Sequence, residues 1–238
     1  MSSTHGTFRL IYEDASWFLG KLLLLYITLP LTAAWIIIGT SFDMEKTLSS
    51  ISSPAYFFFI PFYGVMGFKS LLPIAVSLGG TRTQMLKSFY VIGVSSVFVY
   101  MLVLNLLQCL LWTLYDRGVS SVSITHAGMF HSSEYQFFPY LWIDLMVGLI
   151  LFGGAFFIYC ITYRAGMTRT LIGIMIIAIA AMFLYYSGVL EAPIAWLSTL
   201  NMNAMTGFTI AGIAGLAALL TTYPMMRNAS LQPKQKRE

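Results

Sequence analysis

"SLGGTRTQMLKSF", Ser77 to Phe89, separates two long apolar runs with two cations, no acid and a Gly-Gly pair. The chain around it has 238 residues, of which 58% are hydrophobic and only 9% charged. A soluble domain carries roughly 25% charged residues. So large a deficit means that most of the surface does not face water. Length alone would allow one or two domains, but the apolar runs make this one bundle of membrane helices. The opening stretch, "MSSTHGTFRLIYEDASWF", has mixed charge and no small-residue cleavage site after a short apolar region. It reads as something other than a signal peptide.

A spanning helix needs about 20 mostly apolar residues. Six stretches qualify: Lys21–Gly39, Pro54–Leu78, Ser88–Tyr115, Phe138–Tyr163, Leu171–Val189 and Ala204–Tyr223. Barrel strands would run to about ten residues with alternating polarity, so the spans are helices. The expected fold is an all-α integral membrane protein, a bundle of six transmembrane helices. Residues 1–20 form an N-terminal segment, 21–226 the transmembrane domain and 227–238 a basic tail. No repeat relates the halves.

Direction follows from the cations. One side collects Arg9, Lys21, Arg82, Lys87, Arg164, Arg169, Arg227, Lys234, Lys236 and Arg237, and the other has only Lys46 and Arg117. Both termini are therefore expected in the cytoplasm, with the opening stretch as the first cytoplasmic loop. Before the first span, Phe8, Ile11, Tyr12, Ala15 and Leu19 share one helical face and Arg9, Glu13 and Ser16 the other. This pattern predicts a short helix lying in the cytoplasmic interface.

In the loop itself, Gly79 and Gly80 permit a sharp turn. "TRTQMLKS" has room for two turns of helix, with Thr81 as its cap but no acid three residues on. Arg82 and Lys87 have two readings. They are topology anchors that snorkel to headgroups, or they meet a protein. Four polar residues fall within the spans, Lys69, Asn105, Gln108 and Asp144, and are candidates for a pathway or the bundle interior. Lys69 sits deep in span two, unless that span ends near Phe68 and leaves it among the headgroups. Asp144 in span four lies nearer the outer end, and its other reading is that it simply faces outer water. Asn105 and Gln108 share a face of span three, as amides that join helices do. Gly207, Ala211 and Gly215 form a small-residue stripe suited to close helix packing.

The two cysteines, Cys109 and Cys160, both lie in apolar runs and build neither a disulfide framework nor a metal site. His126, His131 and Glu134 precede span four in no known metal spacing, so no metal is expected there. No GxxxxGK[ST] run, HExxH motif or triad occurs, so the chain is expected to be no enzyme and to hold no cofactor of its own. Its net charge of +4 makes no case for nucleic acid.

Six spans in under 250 residues, an interfacial helix before the first, and the turn Gly79-Gly80-Thr81-Arg82 resemble the permease subunits of bacterial ABC-2-type exporters. The layout covers nearly the whole chain; the motif covers only Ser77–Phe89. The outer stretch "GVLEAPIAWLSTLNMNAM", interrupted by Pro193 and Asn201–Asn203, looks like that family's short outer helices. The resemblance implies that Gly79, Gly80, Thr81, Arg82, Gln84 and Lys87 form a loop coupled to a separate ABC ATPase. Two ATPase copies would carry ATP-Mg, and a second permease subunit, identical or related, would complete the pathway. The location implied is the bacterial plasma membrane, and the cargo is amphipathic or apolar: a peptide, an antibiotic or a lipid-like molecule. Two other classes fit a six-span chain: a stand-alone membrane immunity or binding protein, and an ion-driven secondary transporter. The latter would want buried acids near the midplane, for which only Asp144 offers itself.

Overall fold

Among the described residues, six helices are long and apolar enough to cross a membrane. The computed structural model describes residues 3–41, 48–49, 59–118, 123–125, 127–132, 135–189, 191, 195 and 203–228. The first rod joins α1 (Ser3–Ala15), a π-helical stretch (Ser16–Thr28) and α2 (Leu29–Ser41) without a break. Then follow α3 (Ile60–Ser77), α4 (Arg82–Asp116), α5 (Phe137–Ala165), α6 (Met167–Tyr186) and α7 (Ala204–Met226). The bundle is all-α, apart from a two-residue parallel pairing of β1 (Leu48–Ser49) with β2 (Ser123–Ile124).

The N-terminal segment is helical, as its pattern predicts, but it runs straight into the first span. Its buried stripe is Thr7, Ile11, Ala15, Leu19 and Leu23, one residue in every four. In a pure α-helix such a stripe drifts around the axis. The wider π turn rotates less per residue and brings the stripe back into line with the bundle. Phe8 and Tyr12, from the same predicted face, point outward. The apolar stripe of α1 is therefore spent on α3 and α4 rather than on lipid. Farther along the rod, the Thr28 hydroxyl donates to the Leu23 carbonyl at 2.8 Å and lies 3.3 Å from the Tyr100 hydroxyl of α4.

The core is aromatic. Phe68, Phe89 and Phe156 pack with ring centroids 5.0–5.4 Å apart, and Tyr63 stacks on Phe89 and Phe152. Helices α5 and α7 make the most intimate pair. A Cβ on Gly215 would stand 2.5 Å from the Ile150 Cα, and one on Gly153 would run into the Gly215 carbonyl. The predicted stripe is thus right at Gly215 and out of phase elsewhere. Gly207 faces open space and Ala211 is half-buried, while the contact runs through Gly212, Gly215, Leu219, Thr222 and Met226. Helix α6 leaves α5 at Gly166 and buries only Thr170. A helix apolar all round and packed so little belongs in lipid.

Candidate functional site

Three places hold the polar residues singled out by sequence. The first is the α3–α4 turn. Gly79 has φ +81°, a left-handed conformation that favours glycine. Its N–H donates to the Val76 carbonyl at 3.0 Å and that of Gly80 to the Ala75 carbonyl at 2.8 Å. This is the paired closure of a Schellman motif. Thr81 then starts α4 with a full capping box. The Gln84 N–H donates to the Thr81 hydroxyl at 3.2 Å, and the Thr81 N–H to the Gln84 side-chain oxygen at 3.0 Å. The partner three residues on is an amide rather than an acid, and it serves as well.

The turn also explains the second glycine. A Cβ on Gly80 would stand 2.7 Å from both the Ala75 carbonyl oxygen and the Thr7 hydroxyl. The N-terminal helix lies directly over the turn. Beyond it, "TRTQMLKS" is not a separate two-turn helix. It is the first stretch of α4, which continues unbroken for 35 residues, about 52 Å. Arg82 is half-buried and stands close enough to Tyr163, at the end of α5, to act on it electrostatically. Lys87 points outward.

The second place is a buried polar node between α4 and α5. Asp144 is fully buried and does not face outer water. Its Oδ2 accepts from Asn105 Nδ2 at 3.1 Å. The Asn105 side-chain oxygen in turn accepts from the Tyr135 hydroxyl at 2.6 Å. Gln108 accepts from the Ile124 N–H at 2.9 Å. Asn105 and Gln108 are thus structural glue, but they hold the loop before α5 as much as the helices. Asp144 thus lies in the bundle interior, the first of its two readings, and the cause is tertiary. The loop folds back over it, and Tyr140 donates to the Ser132 carbonyl at 2.9 Å to keep it there. Burial pushes the Tyr135 phenol above its ordinary range, and Cys109 and Asp144 nearby push it further. Tyr135 was not legible as a site residue, because nothing in its local pattern marks a loop tyrosine as a cap.

The third place is a groove between the first rod and α3, walled by Asp14, Phe18, Phe62, Tyr63, Met66 and Lys69. Lys69 lies within α3 and points outward into this groove. It does not line the bundle interior. Neither reading of Lys69 placed an acid on the opposite wall.

His126 and Glu134 lie outside the described residues, as do Pro193, Asn201 and the tail beyond Asn228; His131 follows the short 3₁₀ turn Ala127–Phe130. Among the described residues no three His, Cys, Asp or Glu side chains gather as metal ligands. The fold is that of a multi-pass α-helical membrane protein. No protein-family model, curated protein or solved structure matches the chain.

Proposed function

We propose that this chain is the membrane-spanning permease subunit of an ATP-driven exporter of the ABC-2 type. A separate ATPase would dock at the end of the bundle that carries the Gly79–Gly80 turn. The observation that carries this reading is how that turn is built. A Schellman closure, a capping box and the overlying Thr7 fix it rigidly to α1, α3 and α4 at once. A lipid-facing topology anchor needs no such rigidity. A lever does, and the unbroken α4 would carry displacement of the turn across the whole membrane. The coupling element is then the turn and the first turns of α4, with Lys87 as its outward cation and Arg82 half-buried near Tyr163 of α5. ATP-Mg would belong to the ATPase, since no phosphate-cradling loop occurs in this chain. The transported molecule on this reading is amphipathic or apolar, and the second permease subunit is a copy or a relative of this one.

Purification from native membranes tests the proposal. An ATPase should co-elute with the wild-type protein. Lys87→Glu should insert normally and lose it, because a charge reversed at a protein interface becomes repulsive. Lys87→Gln should do less harm. A wild-type protein that elutes without any ATPase from membranes in which the neighbouring complexes survive would refute the reading.

A further inference from the structure

The groove of about 360 Å³ between the first rod and α3 has a composition unlike the rest of the surface. Asp14 stands on one wall and Lys69 on the other, and no ion pair joins them. Tyr63 lines it as well. That residue is 2% exposed, and its hydroxyl is buried without a hydrogen-bond partner. The Asp14 carboxylate is close enough to act on that hydroxyl electrostatically. The remaining walls are apolar. Phe18 stacks against both Phe62 and Tyr63 at 5.8 Å, and Phe62 and Met66 face outward.

Depth narrows the occupant. Thr7 sits against Gly80, so distances can be counted from the turn. Asp14 lies two helical turns beyond Thr7, and Lys69 eight residues before Ser77, each about 10–12 Å from the turn. Lys87 reaches a similar level on α4. The continuous apolar part of the first rod begins only after Lys21, and Lys21 to Gly39 rises about 28 Å, close to the thickness of the hydrocarbon. The groove therefore lies at headgroup level, open to the lipid beside it.

We propose that this groove binds the headgroup of a zwitterionic phospholipid with a primary ammonium, of the phosphatidylethanolamine type. The ammonium would donate to Asp14, the phosphate would accept from Lys69 and Tyr63, and the acyl chains would leave over Phe62 and Met66. Each unpaired group in the groove finds a partner of the right sign in one molecule. A wholly anionic lipid would meet Asp14 with like charge. A quaternary ammonium has no N–H to give the carboxylate. A soluble headgroup leaves the apolar walls uncovered. This inference stands apart from ATP coupling and holds for any function of the bundle.

Native mass spectrometry of the full chain, delipidated in detergent, tests it. Phosphatidylethanolamine, phosphatidylcholine and phosphatidylglycerol with identical chains are titrated separately. The expected result is a preference for phosphatidylethanolamine of about tenfold, the worth of one charge-assisted hydrogen bond. Asp14→Asn should erase that preference, whereas Lys69→Gln should weaken binding of all three lipids about tenfold, since each carries the phosphate, and Lys69→Arg should keep it. Lys69 is outward-facing and Asp14→Asn is isosteric, and unfolding temperatures confirm that each variant is folded. Equal binding of the three lipids by the wild-type chain overturns the proposal. So does a preference unchanged in Asp14→Asn, or an affinity unchanged in Lys69→Gln. Soluble glycerophosphoethanolamine competing as well as the lipid would overturn the lipid assignment.

Discussion

Gly79 and Gly80 are adjacent and chemically identical, yet they serve different ends. Gly79 supplies a backbone conformation, with φ +81° and open space where a Cβ would go. Gly79→Ala should therefore cost about 1 kcal/mol of local backbone strain and leave the packing intact. Gly80 supplies room. An added methyl would press on the Ala75 carbonyl and the Thr7 hydroxyl, both at 2.7 Å. Gly80→Ala should cost about 1–3 kcal/mol and lift α1 off the turn. Thermal unfolding in detergent measures both, and protease cleavage within the first 15 residues should rise only for Gly80→Ala. The cations divide in the same way. Arg82→Glu should place a half-buried negative charge beside Tyr163 as well as alter any partner surface, whereas Lys87→Glu touches the outward face alone. Thermal stability in the absence of a partner should fall for the first and hold for the second.

At the scale of elements, the α5–α7 contact is set by backbone approach. Gly215→Ala places a methyl 2.5–2.7 Å from the Leu149–Ile150 backbone, and backbone cannot give as a side-chain tip can. It should destabilise the bundle by about 3 kcal/mol, the upper end of ordinary overpacking costs. Gly207→Ala meets nothing within 4 Å and should be silent; equal unfolding temperatures for the two variants would refute this register. The contrast also marks what a sequence can and cannot tell. Hydropathy alone locates all six helices, because length and composition belong to each segment separately. The face a helix presents depends on its neighbours. In sequence, a face through Gly207, Ala211 and Gly215 looks as good as one through Gly212, Gly215 and Leu219, and only the partner helix decides. Asp144 was legible as a candidate for the bundle interior, but the loop tyrosine that bonds its partner Asn105 was not. Thr81 was legible as a cap, but Gln84 was passed over as its partner, although an amide can replace the acid. The node offers its own check. Tyr135→Phe removes the hydroxyl that bonds Asn105 at 2.6 Å and should cost about 0.6–2 kcal/mol, read as lower unfolding temperature and faster cleavage of the 119–136 loop.

For the whole molecule, geometry gives the charge count a spatial meaning. Thr7 rests on Gly80, Arg82 stands beside Tyr163, and the Tyr90 hydroxyl lies 2.6 Å from that of Thr222. These contacts bring the N-terminal helix, the α3–α4 turn, the end of α5 and the end of α7 to one end of the bundle. Arg9, Arg82, Lys87, Arg164, Arg169 and Arg227 all collect there. Arg117 stands at the far end of α4, 35 residues from Arg82 by the span of that helix. Cations held back on one side by the membrane are what fix orientation during insertion. The clustered end should therefore be cytoplasmic, and it is also the end with the rigid turn. Single cysteines at Ser120 and Ser230, with Cys109 and Cys160 replaced, read this directly. An impermeant thiol reagent added to intact cells should label position 120 and spare position 230 until the membrane is opened. Labelling of both from outside would break the six-span alternation. Labelling of 230 alone would invert the molecule and remove the turn from the reach of any cytoplasmic ATPase. Reversing Arg82 or Lys87 singly should leave the labelling pattern unchanged, because the remaining cations at that end still outnumber those at the other. That insensitivity separates the two roles of these residues. If either reversal flips the protein, its charge serves orientation. If the pattern holds while ATPase co-purification is lost, its charge serves a partner.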